Sequence, residues 1–151
     1  MALKERLGED LKVAMKSGDK LRLETIRTLR AALMEKEIEL RGNGKEVTPD
    51  DEVATLASAA KKRKESIEQF QAGGRMDLVA QETTELKIIQ EYLPKQMGED
   101  EIKSVIEDVV KATGASSGGD FGKVMPQVMK QLKGKADGRM IQELVKKRLG
   151  S

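Results

Sequence analysis

The sequence predicts an all-α protein: an N-terminal four-helix domain over residues 1–93, a linker at 94–98 and a C-terminal three-helix domain over 99–151. Three observations carry this. Apolar residues recur at three- and four-residue intervals, and no segment alternates apolar and polar residues over a strand's length. Breaks containing Gly or Pro, several followed by capping residues, separate these stretches. A chain of 151 residues holds one ordinary domain or two small ones.

Leu3, Leu7, Leu11 and Ala14 set a first helix at residues 2–16, and Ser17-Gly18-Asp19 ends it and caps the next. The second runs from 19 to 40 with Ile26, Leu29 and Leu33 on one face, closed by Gly42-Asn43-Gly44. Thr48-Pro49-Asp50-Asp51 starts the third: Thr48 caps, Pro49 suits the first helical position, and the acids favour the positive helix end. Its stripe of Val53, Leu56, Ala57, Ala60, Ile67 and Phe70 is interrupted by Lys64 and stopped by Gly73-Gly74. A fourth helix covers 75–92 with Leu78, Val79, Leu86 and Ile89 inward. Pro94 then pushes Leu93 out of helical conformation, which marks the boundary. Glu99-Asp100-Glu101 opens a fifth helix carrying Ile102, Val105, Ile106, Val109 and Val110 as far as Gly114. Asp120 is expected to cap a sixth, reaching about Lys133, and Asp137 a seventh, reaching about Leu149. Pro126 removes one backbone bond and crowds Gly122, predicting a kink or a late start.

With no Cys and no His, disulfides, thiol chemistry, imidazole bases and Cys/His metal sites are excluded. Phe70, Tyr92 and Phe121 are the only aromatics, so the core must be aliphatic. No stretch approaches the ~18 apolar residues of a membrane span. The N-terminus does not read as a signal peptide, and a cytoplasmic location is expected. No cofactor is expected. The net charge of +2 hides an asymmetry: residues 121–151 carry eight basic and two acidic side chains, a net +6, which leaves −4 for residues 1–120.

On the sixth helix Val124, Met125, Val128, Met129 and Leu132 share a face, and Lys123 and Lys130 point the other way. On the seventh, Ile141, Leu144, Val145 and Leu149 face inward, while Arg139 and Lys146 face out. Lys133, Gly134, Lys135, Gly138 and Arg139 belong to the intervening turn, which ends at a helix N-terminus whose amides can bind phosphate. Gly134 and Gly138 permit close backbone approach. Two readings fit: a solvated face whose lysines complement a helix dipole, or a surface for a polyanion. The scarcity of aromatics argues against stacking on single strands and favours a folded RNA held through phosphates and 2′-hydroxyls. Gly122-Lys123 could end a phosphate loop, but Ser117 stands where its first Gly belongs and Val124 follows the Lys. Pairs such as Glu82 with Glu85 are expected to be surface acids, and no Ser is fixed against a base. Lys61-Lys62-Arg63-Lys64 reads best as a solvated face.

Together these segments resemble the YqeY family, almost end to end. The similarity rests on Lys16-Ser17-Gly18-Asp19-Lys20, Thr25-Ile26-Arg27, Arg63-Lys64-Glu65-Ser66, Gly74-Arg75-Met76-Asp77-Leu78, Glu91-Tyr92-Leu93-Pro94-Lys95-Gln96, Gly122-Lys123-Val124-Met125 and Lys133-Gly134-Lys135-Ala136-Asp137. The C-terminal part is also similar to the tail domain of the B subunit of the tRNA-dependent amidotransferase, which helps hold tRNA. The resemblance implies a non-catalytic accessory protein binding tRNA or another folded RNA through Lys123, Lys130, Lys133, Gly134, Lys135, Gly138 and Arg139. It also implies amidotransferase subunits or an aminoacyl-tRNA synthetase as partners, and an association with a carbon–nitrogen ligase using glutamine as amide donor. A helical protein–protein adaptor is the remaining expectation, since like-charged pairs such as Glu35 and Glu39 do not optimise a lone helix.

Overall fold

The computed structural model describes residues 2–150. Among them it contains seven α-helices and no strand: α1 (Leu3–Ser17), α2 (Lys20–Gly42), α3 (Pro49–Ala72), α4 (Met76–Gln90), α5 (Glu99–Thr113), α6 (Phe121–Leu132) and α7 (Gly138–Leu149). Contacts divide the chain into two compact units on either side of the Leu93–Pro94 bond.

In the first unit α1 packs on α2, and α2 and α4 both pack with α3 and with each other. Local chemistry sets the breaks. Gly18 takes a left-handed φ of 75° after α1, and the Asp19 carboxylate accepts the Arg22 amide at 3.1 Å to start α2. Thr48 and Asp51 form a reciprocal capping box that spans Pro49. The core holds Leu7, Ile26, Leu29, Leu33, Leu56, Ile88, Ile89 and one aromatic, Tyr92. Burying each such aliphatic side chain stabilises by about 1.5–3 kcal/mol. Leu78 and Val79, expected inward, are only half-buried, and so is Lys64.

Polar contacts close this unit. The helix expected over 75–92 stops at Gln90, so Tyr92 lies past it. Its hydroxyl donates to the Asp10 carboxylate. Arg6 of α1 sits 4.6 Å from the Tyr92 ring centroid and donates to the Glu91 carbonyl at 3.0 Å. Arg22 of α2 pairs with the Glu91 carboxylate at 2.9 Å. Glu82 and Glu85 of α4 are not a free surface pair: Arg63 of α3 reaches both, at 2.9 and 3.1 Å. The basic run at 61–64 is therefore exposed at Lys61 and Lys62, whereas Arg63 and Lys64 are half-buried.

The second unit packs α6 against α5 and α7. Its core is wholly aliphatic: Ile102, Ile106, Val109, Val110, Val124, Val128, Leu132, Ile141, Val145 and Leu149. Asp120 does not cap α6 as expected. A 3₁₀ turn at Gly118–Asp120 runs straight into Phe121, and the Asp120 carboxylate turns back to accept the Ser116 and Ser117 amides at 2.9 and 3.3 Å. Those bonds, reinforced by Lys123, hold its carboxyl below the usual range. Pro126 does not delay α6, which begins five residues earlier. The carbonyl that loses its amide is that of Gly122, an exposed residue near the helix start where water can replace the bond.

Two outcomes follow for the first unit. Burial and the neighbouring Glu82 charge raise the Glu85 pKa, and Arg63 offsets part of that rise. Arg63→Ala should lower stability by about 1–3 kcal/mol at pH 7, less than a fully buried pair because Arg63 is partly solvated. A raised carboxyl favours folding below its unfolded pKa and loses that contribution as pH rises through the folded value, so the deficit should shrink by pH 5. Urea denaturation at the two pH values checks this.

Burial, with the Asp10 carboxylate, raises the Tyr92 pKa above the ordinary phenol value of about 10. The neutral phenol thus contributes stability that is full below pH 10 and lost as pH climbs toward the folded pKa. Comparing Tyr92→Phe with wild type by alkaline thermal melts, the wild type should decline more steeply above that pH.

Candidate nucleic-acid interface

The basic residues of the second unit fall into distinct groups. Val124, Val128 and Leu132 fill the inner side of α6, and Lys123 and Lys130, both exposed, lie on the side turned away. Lys123 is 3.9 Å from Asp120, a loose pair. Exposed Lys133 and Lys135 flank Gly134, which takes a left-handed φ of 75° to turn the chain after α6. Arg139 and Lys146, seven residues apart, share one flank of α7. The Lys146 ammonium lies 5.8 Å from the centroid of the half-buried Phe121 ring, so α7 covers the start of α6 at that point. Arg148 is withdrawn from the basic group by Glu107 of α5, one contact being 3.3 Å. Lys103, Lys147 and Arg148 rim a separate cleft of about 180 Å³ floored by Ile106 and Leu144.

Among the described residues, Lys130, Lys133, Lys135 and Lys147 have no carboxylate within 4.0 Å, so the turn and the outer side of α6 keep unneutralised charge. The turn is also held in shape. The Met97 amide donates to the Lys135 carbonyl at 2.8 Å, and the Gln96 side chain donates to the Gly134 and Pro94 carbonyls, each at 2.9 Å. This clip is not legible in the sequence, because its members lie 38 residues apart and carry no local signal. Glu107 with Arg148, 41 apart, was hidden for the same reason.

The start of α7 differs from a bare phosphate cradle. The Asp137 carboxylate caps it as expected, accepting the Arg139 amide at 3.2 Å, and so sets an anion where a phosphate would approach. Gly138 does not take a positive φ, and a Cβ there would meet only the Met129 methyl at 3.7 Å. Of the two turn glycines, Gly134 alone is required by backbone conformation. Among the described residues, no acidic group is arranged to hold a metal ion, and no helix is long and apolar enough to cross a membrane.

The architecture defines a class: an all-helical chain of two compact units, the second bearing a cationic turn clipped between two helices. Within that class the chain belongs to the YqeY family, whose model, described as a Yqey-like protein, matches residues 4–149. The chain is 32% identical to the Altered inheritance of mitochondria protein 41, mitochondrial, of Pyrenophora tritici-repentis, over 97% of this chain and 80% of that protein. It is 41% identical to the protein of the same name from Lachancea thermotolerans, over 58% of this chain and 46% of the relative. For that of Saccharomyces cerevisiae the figures are 40%, 56% and 44%, so the match spans about half the length of the two yeast relatives.

These names overturn the cytoplasmic expectation, since all three relatives are designated mitochondrial. That expectation rested on two absences, a signal peptide and a membrane span. Neither separates the cytoplasm from the interior of an organelle.

The contrast between the glycines is measurable. Gly134→Ala forces a side chain into left-handed backbone and should lose about 1–2 kcal/mol. Gly138→Ala should change stability by less than about 0.5 kcal/mol, its missing side chain meeting only ordinary contact. Chemical denaturation of both variants gives the comparison.

Proposed function

We propose that this chain is an RNA-binding accessory protein whose second unit grips a folded RNA, tRNA first among them, through phosphate contacts. The observation that carries the proposal is the held turn with its unneutralised neighbours: Lys133 and Lys135 beside Gly134, and Lys130 on the outer side of α6. Lys123 and Arg139 extend the same surface along α6 and onto α7. In this reading residues 1–93 form a separate helical domain, and residues 99–151 are the tail-like domain, similar to that of the amidotransferase B subunit. That similarity supports tRNA as ligand and tRNA-dependent amide transfer as the setting. Its partners are then amidotransferase subunits or an aminoacyl-tRNA synthetase. The mitochondrial designation of the relatives makes organellar tRNA a direct candidate.

Participation in a glutamine-dependent carbon–nitrogen ligase rests on the family resemblance alone. It adds a partner rather than a reaction centre to this chain. A glutaminase assay with and without amidotransferase subunits tests it, and turnover by the isolated chain would contradict the accessory role.

Filter binding of tRNA as a function of salt tests the main reading. About four phosphate contacts give a slope of log K against log salt of roughly −3 to −4. Lys130→Ala, Lys133→Ala and Lys135→Ala should each make that slope shallower by about 0.7–0.9. Arg148→Ala, whose charge Glu107 already holds, should leave it unchanged. Absence of tRNA retention at low salt would remove the proposal.

A further inference from the structure

The long helix α2 buries Ile26, Leu29 and Leu33 and leaves an apolar strip on its opposite side. There Met34 and Ile38 are 58% and 65% exposed, with Ala31 and Arg27 continuing the line. The spacing 27, 31, 34, 38 follows the four-three-four pattern of a helix–helix seam. Other exposed apolar side chains do not form such a line: Val13 and Met15, two residues apart on α1, point to different sides.

The charges along this line choose the occupant. In a parallel pairing with a second copy, each seam residue meets its own equivalent. Glu24 would then face Glu24, Arg27 would face Arg27 and Arg41 would face Arg41, all like charges. Reversing one helix about the point between Ala32 and Leu33 removes every one of these clashes. Ala31 then meets the partner's Met34, Arg27 lays its aliphatic stem along the partner's Ile38, and Glu24 meets the partner's Arg41, each contact occurring twice by symmetry. Arg41 is 73% exposed and holds only its neighbour Glu37, one turn away, so its guanidinium is accessible. A strip that is self-complementary in one orientation and self-repelling in the other is matched to itself.

We propose that α2 pairs antiparallel with α2 of a second copy of this chain, through Ala31, Met34 and Ile38, with Glu24 and Arg41 closing both ends. A single helix pair lies at the small end of interface sizes, so the dimer is weak, with Kd on the order of 10–100 µM.

Sedimentation equilibrium of the full chain from about 5 to about 500 µM brackets that range. The average mass should rise toward twice the monomer. Ile38→Arg should abolish the rise while circular dichroism keeps its helical signal, since the side chain is 65% exposed and lies outside the buried core. Glu24→Arg and Arg41→Glu should each weaken association at least about tenfold, the size of one well-placed charge pair turned repulsive. The double exchange should restore it. The chain has no native cysteine, so register can be read directly. Oxidised mixtures of Ala31→Cys and Met34→Cys proteins should cross-link to each other in preference to themselves. A chain that stays monomeric throughout, as it would if this strip serves a different helix, overturns the proposal. So does a dimer indifferent to Ile38→Arg, or one whose cross-links join like positions.

Discussion

A buried phenol closes the first unit. Tyr92 is the one ring in that core, and a hydroxyl taken out of water without a partner costs about 1–3 kcal/mol. Asp10 supplies the partner, but a carboxylate at the edge of an apolar core needs compensation of its own. Arg6 over the ring and Arg22 on Glu91 place two cations around it. Satisfying a single oxygen therefore fixes α1 and α2 against the end of α4. Four residues later the same stretch of chain does comparable work for the second unit, where Gln96 and Met97 hold the carbonyls of Gly134 and Lys135. The segment Glu91-Tyr92-Leu93-Pro94-Lys95-Gln96, which carries much of the family resemblance, thus supplies closing contacts to both units in turn.

What could be read from the sequence was local. Gly18, Thr48 with Pro49, and Gly114 announced helix ends because capping depends on residues within one turn of the break. Asp137 was legible for the same reason. Asp120 was misleading, since amides lie on both sides of it, and only the 3₁₀ turn decides that Ser116 and Ser117 win. Charge pairing was not legible. Arg63 looked like part of a solvated run until α4, some twenty residues on, brought Glu82 and Glu85 beside it. The cations of the candidate interface were visible by count and by helical face, but nothing in their spacing said which of them α5 would neutralise.

Within the second unit the charges are segregated by helix. α5 carries five acids and two lysines, a net −3, whereas residues 121–151 are +6. Glu107 with Arg148 is the seam between these regions, and it spends one cation on holding α5 to α7. A polyanion is repelled from α5 and drawn to α6 and the turn that follows it. Partial separation of this kind orients an approaching ligand even though the unit's total charge is modest, because the field near a surface depends on the charges within about a Debye length, ~8 Å at physiological salt.

Phe121 sharpens the distinction between RNA classes under the proposed function. It is the only aromatic side chain in the second unit, and a stacking platform for an unpaired base needs an open ring face. Lys146 lies over that ring, at a distance where an ammonium is attracted to the π-face. A base could stack there only by displacing a cation that a phosphate would otherwise use, so the two modes of binding compete at the same spot. The cationic turn faces no such conflict, because its lysines need no neighbouring ring and its backbone is already set by Gln96 and Met97. Binding through such a surface follows the position of phosphates rather than the identity of bases, which suits an RNA whose own fold fixes where its phosphates lie.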